Sequence, residues 1–290
     1  MDDRPPYKKG YSLVIRDEEF RSLLPAIAEA GFHGVEPTFV EGALPSPITE
    51  KSGGSASELA ARCKDLGLTI PSMRGGRVPW WSIPSADARD RTTALDHTRR
   101  ALDALAVMGG SLLLVVPGQR SPEVDYFTHW KRVVEYGRAA GEIARSYRMR
   151  VGLENVEAGF PTSLRDWGDL VDEINDPGLG IYFDVGNVLW LGLGYPEEWI
   201  RHLGGRILQV HFKDSRFRLA GATLHSEIHQ LLNGDVNWPE VMTALRAIDY
   251  QGWISVEPEG YKYAPGRLPE RLSRDLDAVF ELSAGWEATQ

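Results

Sequence analysis

Between Val151 and Asp214 the chain repeats one pattern three times: a short apolar run ends on a side chain that can bind a metal. VGLE ends on Glu154, GIYFD on Asp184 and ILQVH on His211. The three stand 30 and 27 positions apart, about the length of one strand-plus-helix unit. A fourth copy, WISVE, ends on Glu257. Consecutive parallel strands that each deliver a ligand at the carboxyl end describe one polar site at one mouth of a closed sheet. Few architectures satisfy that condition.

The rest of the chain is consistent with it. Strands are expected at Tyr11 to Ile15, His33 to Phe39, Leu68 to Met73, Ser111 to Val116, Arg150 to Glu154, Leu179 to Asp184, Arg206 to His211 and Gly252 to Glu257. Helical periodicity fills the intervals, over Glu18 to Ala30, Ser57 to Leu66, Asp87 to Met108, Glu123 to Tyr147, Leu164 to Ile174, Pro196 to Leu203, Trp238 to Ile248 and Leu268 to Leu282. Gly31 and Gly67 stand just past two helix ends, where a left-handed cap belongs. Strict alternation calls for a parallel sheet. Eight units in about 280 residues fit a (β/α)8 TIM barrel in a single domain, residues 1–290. No glycine-rich phosphate fingerprint follows the first strand, which weakens a dinucleotide-binding reading.

Composition narrows the function. A formal net charge of -9 argues against a nucleic-acid partner, which would want a basic face. Cys63 is the only cysteine, so an internal disulfide and a thiolate metal cluster are both excluded. It lies in a helical pattern and reads as a small core residue. The polar N-terminus lacks a secretory h-region and the longest apolar runs are too short to span a bilayer, so no membrane role and a cytoplasmic location are expected.

Three carboxylates and one imidazole make a borderline-hard ligand set, suited to Mn²⁺, Mg²⁺, Co²⁺ or Zn²⁺. Converging carboxylates without a cation would raise one another's pKa values, a conflict that one divalent metal resolves.

The chain resembles the xylose-isomerase-like sugar phosphate isomerase/epimerase superfamily. The resemblance rests on Leu153-Glu154-Asn155, Tyr182-Phe183-Asp184-Val185-Gly186-Asn187, His211-Phe212-Lys213-Asp214, Asn233-Gly234-Asp235-Val236-Asn237-Trp238 and Ser255-Val256-Glu257. The branch it is most similar to holds hexulose-6-phosphate isomerase, ribulose-5-phosphate 3-epimerase and tagatose 3-epimerase. The resemblance implies that Glu154, Asp184, His211 and Glu257 bind one divalent metal, often manganese, and that Glu154 and Glu257 are a catalytic acid/base pair. A small-molecule sugar or sugar phosphate is the expected partner, and a homodimer or homotetramer is a family-level expectation.

Further residues are candidate substrate contacts. Glu36 ends the second strand. Asn187 stands where some sugar epimerases of the family place a substrate-touching His, a departure from the tagatose 3-epimerase pattern. Lys213 and Arg216 follow the metal His, and Arg74, Arg77 and Arg218 are similar basic candidates. Trp80 and Trp81, in a long βα loop, are candidates for a lid. His225, Glu227 and His229 alternate, as a second metal site would, but lie in a stretch that reads as a loop. A dehydratase on the same scaffold is the alternative enzyme. An apurinic endonuclease would need more His and a basic face, and a non-catalytic sugar-binding protein would not need two opposed carboxylates.

Overall fold

The computed structural model describes residues 7–12, 17–39, 56–76, 82–220, 223–261 and 267–282. Its elements, in chain order, are β1 (Lys8–Ser12), α1 (Asp17–Glu29), β2 (Gly34–Glu36), α2 (Ala56–Asp65), β3 (Ser72–Arg74), α3 (Ala88–Met108), β4 (Leu112–Val115), α4 (Tyr126–Ser146), β5 (Arg150–Glu154), α5 (Leu164–Ile174), β6 (Leu179–Asp184), α6 (Val185–Trp190), α7 (Pro196–Leu203), β7 (Ile207–Phe212), β8 (Asp214–Ala220), β9 (Thr223–His229), α8 (Trp238–Ala247), β10 (Trp253–Val256) and α9 (Leu268–Glu281).

Eight strands run parallel in the order β2-β1-β10-β7-β6-β5-β4-β3. Parallel bridges from Gly34 to Thr69 and from Thr38 to Arg74 join the two ends. Closure is carried by backbone bonds such as Val35 N to Thr69 O and Arg74 N to Pro37 O, both 2.9 Å. The expected (β/α)8 barrel is the fold.

Period-two alternation divides each strand between two environments. Tyr11, Val35, Met73, Leu113, Val151, Leu153, Ile181, Phe183, Val210, Phe212, Ile254 and Val256 join the main apolar core with residues of the surrounding helices. Leu112, Leu114 and Tyr182 form a separate small cluster with Leu208. In β7 the pairing with β6 skips one residue, from Ile207 opposite Ile181 to Gln209 opposite Tyr182. That bulge re-phases the strand, so Leu208 packs in the small cluster while Gln209 and His211 meet the other polar side chains inside the barrel.

Three expectations are corrected. The first strand begins at Lys8, not Tyr11, and residues 13–16 lie outside the described residues. A strand can hold Lys9 because its ammonium bonds Ser273 at 2.6 Å and Asp277 at 2.8 Å on α9. A short α6 follows β6 directly, started by the Asp184 carboxylate accepting Asn187 N–H. The stretch expected as a loop after β7 is the antiparallel hairpin β8–β9, paired from Asp214 opposite His229 to Ala220 opposite Thr223. Among the described residues no helix is long and apolar enough to cross a membrane.

Candidate metal centre

Glu154 and Asp184 are the last residues of β5 and β6, His211 is next to last in β7, and Glu257 directly follows β10. Parallel register sets Asp184 beside His211, and His211 beside Ser255. All four side chains are buried, and one ligand atom from each lies within 4.8 Å of all the others. Among the described residues no other group of three or more such side chains converges in this way.

His211 Nδ1 lies 3.0 Å from Glu154 Oε1, 3.6 Å from Glu257 Oε1 and 4.0 Å from Asp184 Oδ2. Two cations flank Glu257. Arg74, at the end of β3, donates to Oε1 at 2.7 Å, and Lys213 donates to Oε2 at 2.8 Å. Lys213 Nζ is also 3.2 Å from Asp184 Oδ2 and 3.6 Å from Glu259 Oε2. Lys213 follows His211 by two positions, and both side chains enter the site.

The electrostatics show crowded charge held in low dielectric. Burial, with Glu257 and Glu154 nearby, pushes Asp184 up to about 7 even though Lys213 opposes the rise. Burial would also raise Glu257, but Lys213, Arg74 and His211 hold its carboxyl well below the usual range. Burial disfavours charge on His211 and Lys213, yet the surrounding carboxylates keep both protonated far above their ordinary values.

Residues and metal chemistry agree at this point. Asp184 Oδ2 is fully buried and accepts no hydrogen bond, a state that buried polar atoms rarely keep without a ligand. The Nδ1 of His211 and oxygens from three carboxylates supply a donor set for a divalent cation. The four residues can hold one.

The remaining candidates fall in different places. Glu36 meets His211 at Nε2, the nitrogen opposite the one that faces Glu154, Asp184 and Glu257. His211 Nε2 is 2.7 Å from Glu36 Oε1, and Ser12, Ser72 and Tyr182 fill the other positions on the carboxylate, leaving no free face for a substrate hydroxyl. Asn187 caps into α6 through its backbone, and its Nδ2 donates to Asn155 O at 2.8 Å. Only its Oδ1, buried and unpartnered, is free. Arg216 is on β8, with its guanidinium on Asn233 O at 2.6 Å and Asp235 Oδ1 at 3.4 Å, away from the carboxylate cluster. Trp81, Trp80 and Arg77 lie outside the described residues. On β9, His229 Nε2 is 3.3 Å from Glu227 Oε2, and His225 completes no convergent group with them.

Sequence reasoning passed over Gln209 and the serines at 12, 72 and 255. Their signal was present as alternation: Ser72-x-Arg74, Gln209-x-His211-x-Lys213 and Ser255-x-Glu257 each place a polar side chain two residues before a site residue. Reading these strands only as short apolar runs that end on a ligand hid it.

Fold and site together define a (β/α)8 barrel with a buried carboxylate–imidazole centre at the carboxyl mouth. The family model described as xylose isomerase-like TIM barrel matches residues 24–281, and the chain belongs to that family. An uncharacterized protein of Methanocaldococcus jannaschii is 31% identical over 216 residues, 68% of this chain and 67% of its own. Inosose dehydratase of Lactiplantibacillus plantarum is 29% identical over 148 residues, 46% of this chain and 49% of its own, so that similarity spans about half of the dehydratase. Among solved structures, L-ribulose 3-epimerase superposes with a TM-score of 0.79 over 98% of each chain at 16% identity, which speaks for the fold alone.

Proposed function

We propose that this protein is a metal-dependent isomerase or epimerase of a sugar or sugar phosphate, with Glu154 and Glu257 as its proton-transfer pair. The observation that carries this reading is the buried convergence of Glu154, Asp184, His211 and Glu257 at the barrel mouth. These four would hold a divalent cation, manganese foremost, which would supply Lewis-acid chemistry at a substrate carbonyl.

The protein's own groups do the rest. Glu154 is on β5 and Glu257 follows β10, three steps apart around the sheet, so the two carboxylates reach a substrate from different sides. Glu257 is anchored on both oxygens by cations, whereas Glu154 has no Lys or Arg side chain bonded to it among the described residues. Glu154 therefore takes the proton next to the carbonyl, and the Lys213 ammonium, which donates to Glu257 Oε2, supplies the proton that is returned through that carboxylate. Delivery to the opposite face of the same carbon is epimerisation; delivery to the adjacent carbon is aldose–ketose isomerisation. The free Oδ1 of Asn187 is proposed as a substrate contact.

The similarity to inosose dehydratase supports a second reading. The same base would take the proton, and the Lys213 ammonium would protonate a departing hydroxyl. Incubation in D₂O with Mn²⁺ and a panel of ketoses, ketose phosphates and keto-inositols separates the two. Deuterium entering a recovered sugar at C3, C2 or C1 is the result expected of an epimerase or isomerase. Loss of water to an unsaturated product transfers the assignment to the dehydratase, and no exchange with any substrate removes both.

A further inference from the structure

We infer that the barrel interior beneath the centre is a one-way chain of hydrogen bonds that fixes the tautomer of His211, with Glu36 as the positioning residue. The inference rests on the reading of His211 as a metal ligand. Imidazole offers two nitrogens, and only one carrying a free lone pair can bind a cation. Nδ1 faces Glu154, Asp184 and Glu257, and Nε2 faces Glu36. A ligand-competent His211 must therefore keep its proton on Nε2.

The chain below dictates that choice. It starts at the Gln209 amide, whose Nε2 has only hydrogens to offer. That nitrogen lies 2.7 Å from Ser72 Oγ, 2.6 Å from the Tyr182 hydroxyl and 3.2 Å from Ser255 Oγ. Facing a donor, the Ser72 and Tyr182 hydroxyls accept from Gln209 and turn their own hydrogens onward. Both then donate to Glu36 Oε2, Ser72 at 2.5 Å and Tyr182 by a short bond. Ser12 Oγ donates to Glu36 Oε1 at 3.0 Å. Glu36 is thus an acceptor at every contact, a fully buried carboxylate satisfied by three hydroxyls and by whatever His211 presents. Only an Nε2–H completes it. Tyr182 also packs its ring 4.4 Å from the imidazole, which restrains rotation. Carboxylates that hold the far nitrogen of a ligating His in this way commonly set metal affinity as well as orientation.

Two measurements test this. In wild type labelled with ¹⁵N-histidine and loaded with diamagnetic Zn²⁺, the His211 resonances should show a protonated Nε2 and a non-protonated Nδ1. A proton on Nδ1 overturns the inference. The second is Mn²⁺ binding followed by the electron paramagnetic resonance of the free ion. Glu36→Gln can turn its own N–H toward Nε2 and so favour the wrong tautomer, and it should weaken Mn²⁺ binding by about 10–100-fold. Tyr182→Phe keeps the ring and removes one donor, and it should weaken binding less. Should Glu36→Gln fold poorly, the labelled wild type still decides. Wild-type affinity in both variants overturns the role of Glu36 while leaving the metal centre intact. Failure of wild type itself to bind Mn²⁺ or Zn²⁺ overturns the metal reading on which this depends.

Discussion

At the residue scale the centre places cations and carboxylates against each other in a buried site. Arg74 and Lys213 pair with Glu257, and Lys213 also with Asp184, so these two carboxylates carry cationic neighbours from the chain itself. Glu154 differs from Glu257 in having no cationic side chain from Lys or Arg bonded to it among the described residues. Replacing Glu154 by Gln keeps an oxygen donor but removes the base. Solvent-deuterium exchange into substrate should fall by about 10²–10⁴-fold while the fold is retained. Activity unchanged in Glu154→Gln would remove this carboxylate from the proposed mechanism. The four candidate ligands were legible in the sequence, because each ends a short apolar run and three of them stand 30 and 27 positions apart. What each of the other polar residues touches was not. Glu36 and Arg216 were equally plausible substrate contacts on paper, yet one carboxylate is enclosed against His211 Nε2 and the other side chain binds a neighbouring turn.

At the scale of elements, the hairpin β8–β9 and the turn that follows are tied to the barrel by Asp214. Its carboxylate accepts Ser215 N–H at 2.8 Å, Gly234 N–H at 3.0 Å, Val236 N–H at 3.2 Å and Trp238 Nε1–H at 3.0 Å. Asp214→Ala leaves these donors without their acceptor and should cost about 3 kcal/mol of stability in urea unfolding, at 1–3 kcal/mol per buried donor with some recovered by water. A loss below 1 kcal/mol would show that the turn is held by other contacts. Gly234 suits this tie, because a Cβ there would come within 2.1 Å of Asp214 Oδ1. Elsewhere, α4 carries His129, buried, stacked on Phe160 at 4.0 Å and with Nε2 3.3 Å from Pro117 O. Burial lowers His129 to about 4 from 6.5. Between those values the unfolded chain binds more protons, so the neutral His129 contributes stability above pH 6.5 that is lost as pH falls through 4. Urea midpoints at pH 7 and pH 4 should therefore diverge more in wild type than in His129→Gln. Equal divergence would assign the acid sensitivity elsewhere.

The hairpin shows why an element can go unread. Arg216 and Arg218 belong to β8, and His225, Glu227 and His229 to β9, so polarity made both strands look like a loop. Antiparallel pairing satisfies their backbone regardless of side-chain polarity. The long helices and β5 and β6 were readable because apolar periodicity and end caps agree with each other, as at Ser163 and Asn175 around α5.

At the scale of the whole molecule, the barrel depends on closing β2 against the segment before β3. Gly34 sits at that seam, where an added Cβ would lie 2.6 Å from Thr69 O and 2.9 Å from the Trp253 ring. Gly34→Ala should cost about 1–3 kcal/mol through overpacking. Gly205→Ala, with nothing within 4 Å of its Cβ, is the control and should stay within about 0.5 kcal/mol of wild type. Equal stability of the two variants would mean that the seam yields more easily than its geometry implies.

The sequence by itself determined the eight-fold alternation, the barrel and the four candidate ligand positions. These follow from local periodicity and from the rule that parallel strands deliver their carboxyl ends to one face. Tertiary structure alone decided which polar residues meet. The bulge in β7 set Gln209 and His211 into the lumen, and closure brought Glu36 and Ser72 from distant parts of the chain onto the same imidazole and phenol. A hydrogen-bond partner is chosen by direction and distance in space, and neither is written in the spacing of residues along a strand.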